Sequence, residues 1–179
     1  SYEANDKYWK GAPKIDRLNI KIVEGSQLYA GLKSGEIDVT QNTMSAIPLE
    51  DYESIQALEN VNTSFGEPIT NQSVFINTAS ITDAKVRQAM VYAIDRGQIL
   101  EQLLKGYGEV SEGFLSSASP YYDDTVTPLP YDPGKARSLL EESGWDKNRT
   151  IKFSINSDDS TFVNAASVIA AQWASVGIK

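Results

Sequence analysis

The sequence contains no cysteine and no histidine in 179 residues. Without cysteine there is no disulfide framework, no thiolate zinc site and no thiol nucleophile. Without histidine there is no imidazole acid/base group, no histidine-based triad, and little with which to hold a transition metal. Basic residues are also in deficit, 16 against 24 acids, for a net charge of -8. With no local Lys/Arg cluster to offset it, that balance repels a phosphate backbone and argues against nucleic-acid binding. No apolar run approaches the roughly 20 residues that span a bilayer. Ser1-Tyr2-Glu3 reads as a cut into a longer polypeptide, so the lack of a visible signal segment says nothing about compartment.

What is present is an alternation of strand-like and helix-like periods. Leu18, Ile20 and Ile22 alternate with polar residues and predict a half-buried strand. Residues 26–34 predict a short helix with Leu28 and Leu32 on one face, stopped by Gly35. Ile37 and Val39 then predict a second strand, and Pro48–Leu58 a helix. Residues 61–65 and, more clearly, 72–78 read as strands. From Thr82 the period turns helical, with Val86, Met90, Ala93 and Ile94 on one face. Asp95 and Gln98 have the spacing of a capping box and start another helix, which Gly106 and Gly108 end.

Residues 107–131 form a long irregular stretch of the kind that is usually functional or wrapped over a surface. Asp132-Pro133 opens a helix that runs to Gly144. Residues 150–156 alternate as a strand. Ser160–Val176 is an amphipathic helix carrying Val163, Ala166, Ile169, Ala170 and Trp173, and Ile178-Lys179 begins a further strand. The order is that of an α/β chain with mixed sheets flanked by helices. A strand and helix with no following strand imply a sheet partner elsewhere in the protein.

Few constellations suggest chemistry. Glu36 and Asp38 share one face of the predicted strand, at a backbone separation of about 6 to 7 Å. That spacing suits a glycosidase pair, so a carboxylate-dependent hydrolase using these two residues is the rival reading. Their plainer role is a solvated strand face. Asp123-Asp124 and Asp158-Asp159 lack the alternating ligands of a calcium loop, and helix capping or solvation accounts for them. Gly106-Tyr107-Gly108 lacks the lysine and hydroxyl of a phosphate loop. Ser73, Thr43 and Ser154 have no base to activate them. No cofactor and no metal site is expected.

Five blocks together carry a resemblance. Asn5, Tyr8, Trp9 and Gly11, continued by Pro13-Lys14-Ile15-Asp16, form the first, and SGEIDVT at 34–40 the second. VFINT at 74–78 and VRQAMVYAIDRGQIL at 86–100 follow. Tyr131-Asp132-Pro133 with Ala136, Leu139, Leu140 and Gly144 is the last. In this order they resemble the extracellular solute-binding proteins of family 5, the oligopeptide, dipeptide and nickel receptors of ABC importers. The resemblance covers nearly the whole chain.

It implies part of a two-lobed, type II periplasmic-binding-protein-like receptor that closes over a ligand without chemistry. Residues 1–72 would end the first lobe, 73–78 would cross between lobes, and 79–179 would begin the second. Asn42 would bind a peptide backbone, with Gln41 and Thr43 beside it and Ser73 and Phe75 on the crossing strand. The oligopeptide receptors can carry Tyr and Glu where this chain has Ser73 and Phe75, so the sequence departs from their pattern there and the resemblance leaves the ligand class open. The implied partners are a peptide or similar small solute and the permease subunits. The setting is extracytoplasmic, with attachment to the membrane through the permease or a lipid anchor. Sheet edges left uncovered are expected to drive self-association.

Overall fold

The computed structural model describes residues 1–40, 47–64, 66–67, 71–157 and 160–179. The chain divides into two compact units, Ser1–Ser64 and Phe65–Lys179.

In the first unit, β1 (Tyr2–Glu3) pairs antiparallel with β2 (Arg17–Leu18), Tyr2 facing Leu18 and Glu3 facing Arg17. The Arg17 guanidinium donates to the Glu3 carboxylate across this ladder at 2.9 Å. Helix α1 spans Gly25–Ser34 and buries Leu28, Gly31 and Leu32. It stops because Gly35 takes a left-handed conformation at φ 73°, which a side chain would disfavour. Beyond the stop, the amides of Glu36 and Ile37 both donate to the Gly31 carbonyl, at 3.0 and 3.1 Å. That turn lays Ile37 over Gly31 so closely that a β-carbon there would stand 2.5 Å from Ile37 Cδ1. Gly31 is therefore a packing requirement. A 3-10 turn (Leu49–Asp51) leads into α2 (Tyr52–Gln56), which buries Ile55 and lies against α1. The Asn60 side-chain amide donates to the Leu32 carbonyl at 3.1 Å, adding to the 3.2 Å bond that this carbonyl accepts from Gly35 N at the end of α1.

The second unit contains α3 (Ala84–Tyr92), α4 (Arg96–Leu103), α5 (Pro133–Glu142) and α6 (Ser160–Val176). Three aspartates cap them: Asp83 accepts from Lys85 N, Asp95 from Gln98 N and Asp132 from Lys135 N. Helix α5 packs on α3, and α6 on α4 and α5. Val86, Ala89, Met90 and Ala93 meet Ala136, Leu139, Leu140, Ile169, Trp173, Val176 and Ile178 in one core. Trp173 anchors it. Its ring lies 5.2 Å from that of Phe153, and its indole N–H donates to the Met90 carbonyl at 2.9 Å.

The helices lie close to where periodicity places them, but the predicted strands do not form ladders. Among the described residues the only paired strands are β1 and β2. Ile20 and Ile22 are exposed beyond β2, and Val39 is 82% exposed, so the segment after α1 has no second buried position. Residues 61–64 are irregular, and Phe65 lies outside the described residues. In 72–78 and 150–156 part of the pattern survives without the ladder: Val74, Ile76, Ile151 and Phe153 pack on the core, but Ile155, the third apolar position of the second segment, is 42% exposed. A helix closes its hydrogen bonds within itself, whereas a strand is completed only by a neighbour. One such contact is made: the Ile151 amide donates to the Lys179 carbonyl at 2.6 Å, beside the buried Ile178. On α6, Ala170 is exposed, although the helical pattern places it inward. The inward stripe runs instead through Ala166, Ile169, Trp173 and Val176.

Candidate functional site

Of the five residues expected to contact ligand, Gln41, Asn42 and Thr43 lie outside the described residues. They follow directly on Thr40, after the Gly35 stop and the Ile37 turn. Ser73 and Phe75 are described. Because Val74 and Ile76 face the core, the intervening residues face away from it, and Ser73 and Phe75 are exposed, Phe75 at 87%. Asn77 ends the segment by a turn: its side chain accepts from Ala79 N at 3.0 Å, and its carbonyl from Ser80 N and Ile81 N.

The long irregular segment borders this face. It contains no helix or strand, yet it is pinned at both ends by one side chain. Arg96, in the first turn of α4, donates to the carbonyls of Ser111 and Leu129 at 2.8 and 2.9 Å and pairs with Glu112 at 3.0 Å. Between those anchors the Asn71 side-chain amide donates to the Phe114 carbonyl. That bond ties the loop to the start of the 72–78 segment. Hydrogen bonds from the Ser117 hydroxyl and amide hold the Glu109 carboxyl below its ordinary pKa, and the same contacts from Thr125 lower that of Asp123. The signal for Arg96 was invisible in sequence, because its acceptors are backbone carbonyls up to 33 residues away.

An apolar groove of about 380 Å³ separates the 74–77 segment from 149–153, with Met90 and Trp173 among its lining. A smaller cavity of about 150 Å³ lies beside Trp145 and Lys147. Neither holds a nucleophile paired with a base. Glu36 and Asp38 line neither. Glu36 forms an exposed ion pair with Lys21 at 3.0 Å, Asp38 is exposed, and no strand aligns the two. The hydrolase reading therefore finds no support. The described residues also contain no group of three or more acidic side chains able to hold a metal, and no helix long and apolar enough to cross a membrane. The exposed groups at 71–77 are two amides, a hydroxyl and a phenyl ring. They can hydrogen-bond and make apolar contact, which is binding without chemistry.

Comparison with solved structures shows the fold to be a fragment of the two-lobed, type II periplasmic-binding-protein fold. HbpA2 from Haemophilus parasuis superposes with a TM-score of 0.72 at 27% identity, over 99% of this chain and 36% of that one. The sequence model for "Bacterial extracellular solute-binding proteins, family 5 Middle" matches residues 1–179, and the chain belongs to that family. A heme-binding protein A from Haemophilus influenzae is 32% identical over 99% of this chain and 33% of its own length. An Escherichia coli dipeptide-binding protein is 30% identical over 99% of this chain and 34% of its own length. The chain thus spans about a third of the length of the curated relatives it matches.

Proposed function

We propose that the protein is the solute-binding component of an ABC importer, working outside the cytoplasm and taking a peptide or a similar small solute. Ligand is held by closure of two lobes and passed to membrane permease subunits, with no bond made or broken. The observation that carries this reading is the family match along all 179 residues. The outward face of Ser73 and Phe75 supports it as the place where ligand is met. In this reading residues 1–72 belong to the first lobe, 73–78 cross and 79–179 belong to the second. The division of the chain near residue 64 supports a boundary in that region. Gln41, Asn42 and Thr43 contribute from the first lobe, Asn42 through an amide that donates to and accepts from a peptide backbone.

The peptide reading is supported by the dipeptide-binding relative, which is matched over 99% of this chain. Attachment to the membrane is through the permease or a lipid anchor. The exposed, ladder-free stretch at 72–75 supports self-association of these 179 residues when produced alone. The test is calorimetric titration of the full-length protein with a defined di- to pentapeptide pool. Asn42→Ala and Phe75→Ala each weaken binding by about tenfold, on the order of 1.4 kcal/mol. Unchanged affinity in both variants sinks the site assignment, and no binding of any peptide by the wild type sinks the ligand class.

A further inference from the structure

Phe114 stands 78% exposed on a loop that spends considerable order on holding it there. A single exposed apolar side chain needs no explanation. Phe114 differs in what fixes its backbone: Arg96 clamps Ser111 and Glu112 on one side and Leu129 on the other. Ser111 Oγ donates to the Gly113 carbonyl at 2.7 Å, tightening the tip. Asn71 then binds the Phe114 carbonyl directly, two residues before Ser73. One charge near the tip, that of Glu112, is neutralised by Arg96. The result is a second exposed phenylalanine, besides Phe75, whose backbone is tethered to the start of the same outward-facing segment. A preorganised aromatic side chain loses little freedom on binding, which makes it an effective selector.

We propose that Phe114 is a specificity-determining contact of the ligand-binding surface, selecting ligands that carry an aromatic or large aliphatic side chain, and that Arg96 is its positioning residue. The inference rests on the peptide-receptor reading above. Arg96→Lys keeps the charge but loses the planar fork that reaches two carbonyls and a carboxylate at once.

The experiment titrates the full-length protein, as wild type, Phe114→Ala and Arg96→Lys, with Ala-Ala-Ala and Ala-Phe-Ala. The wild type is expected to bind Ala-Phe-Ala roughly tenfold tighter, the factor set by burying one phenyl group incompletely. In both variants the ratio falls towards one, with affinity lost mainly for Ala-Phe-Ala, whereas a merely structural role for the loop would weaken both peptides alike. A wild-type preference that survives in Phe114→Ala overturns the inference and leaves the peptide reading standing. So does equal wild-type affinity for the two peptides. Failure of the wild type to bind either peptide defeats both. If Arg96→Lys does not fold, the Phe114→Ala ratio alone decides.

Discussion

Replacing Trp173 with Phe tests how the second unit is held together. The indole N–H reaches the Met90 carbonyl at 2.9 Å. Within the helix that carbonyl would take the amide of Ile94, but Ile94 N binds Val91 O at 3.1 Å as α3 ends. Trp173 therefore satisfies an acceptor that the helix itself abandons, at a side chain only 5% exposed. A phenyl ring leaves the carbonyl buried without its partner, which costs about 1–3 kcal/mol. Loss of the second ring against Phe153 removes packing worth about 1 kcal/mol more. Trp173→Phe should thus destabilise by about 2–4 kcal/mol, and Trp173→Ala by more, since Trp-to-Ala truncation alone costs about 3–5 kcal/mol. Urea unfolding followed by far-UV circular dichroism reads this directly, because α3 to α6 all lie in that unit. A Trp173→Phe protein within about 0.5 kcal/mol of wild type would refute the assignment of Trp173 as the joint between α3 and α6.

Three further outcomes follow from local geometry. Gly31→Ala places a methyl 2.5 Å from Ile37 Cδ1 and should cost about 1–3 kcal/mol. Shortening the partner in Gly31→Ala/Ile37→Ala should recover part of it in a double-mutant cycle. Gln172 accepts from Asp95 N and donates to Gln98 Oε1, so Gln172→Ala should lower the melting temperature through a loss of about 1 kcal/mol. Glu109, Asp123 and Glu142 have pKa values below the ordinary 4.5 for Glu and 3.8 for Asp, through hydrogen bonds from Ser117, Thr125 and Lys85 respectively. A carboxyl depressed in the folded state stabilises above its unfolded pKa and loses that contribution as pH falls through the folded value. Stability should therefore decline below about pH 4.5. Glu142→Gln should flatten that decline in acid-unfolding curves, and an unchanged slope would count against the Lys85 contact.

Local signals were legible in the sequence, and non-local ones were not. Gly35, Gly106, Gly144 and Gly177 all adopt positive φ where helix stops were expected. Asp95 and Asp132 cap helices as their spacing implies, and Pro133 takes the first turn of α5. The Asp95–Gln98 box is only half formed within its helix. Asp95 N takes its acceptor from Gln172, 77 residues on, which no local pattern encodes. The strands failed for the same reason. Alternation pointed inward correctly for Ile151 and Phe153 but not for Ile155, which is 42% exposed. The continuous apolar run 74–76 did not say that Val74 and Ile76 rather than Phe75 face the core. A ladder, besides, depends on a partner that periodicity cannot supply. Ser73 and Phe75 were legible as a face, whereas Arg96 and Asn71 became visible only through the backbone carbonyls they reach.

We propose that this chain belongs to a protein that carries a small solute and does no chemistry. Native mass spectrometry of the full-length protein, purified without refolding from the cells that make it, tests that claim most directly. A bound small molecule of peptide character is expected, released intact on unfolding and replaced when a peptide pool is added. A protein that emerges free of any small molecule and leaves every peptide in the pool unbound would contradict it, as would one that returns the pool cleaved.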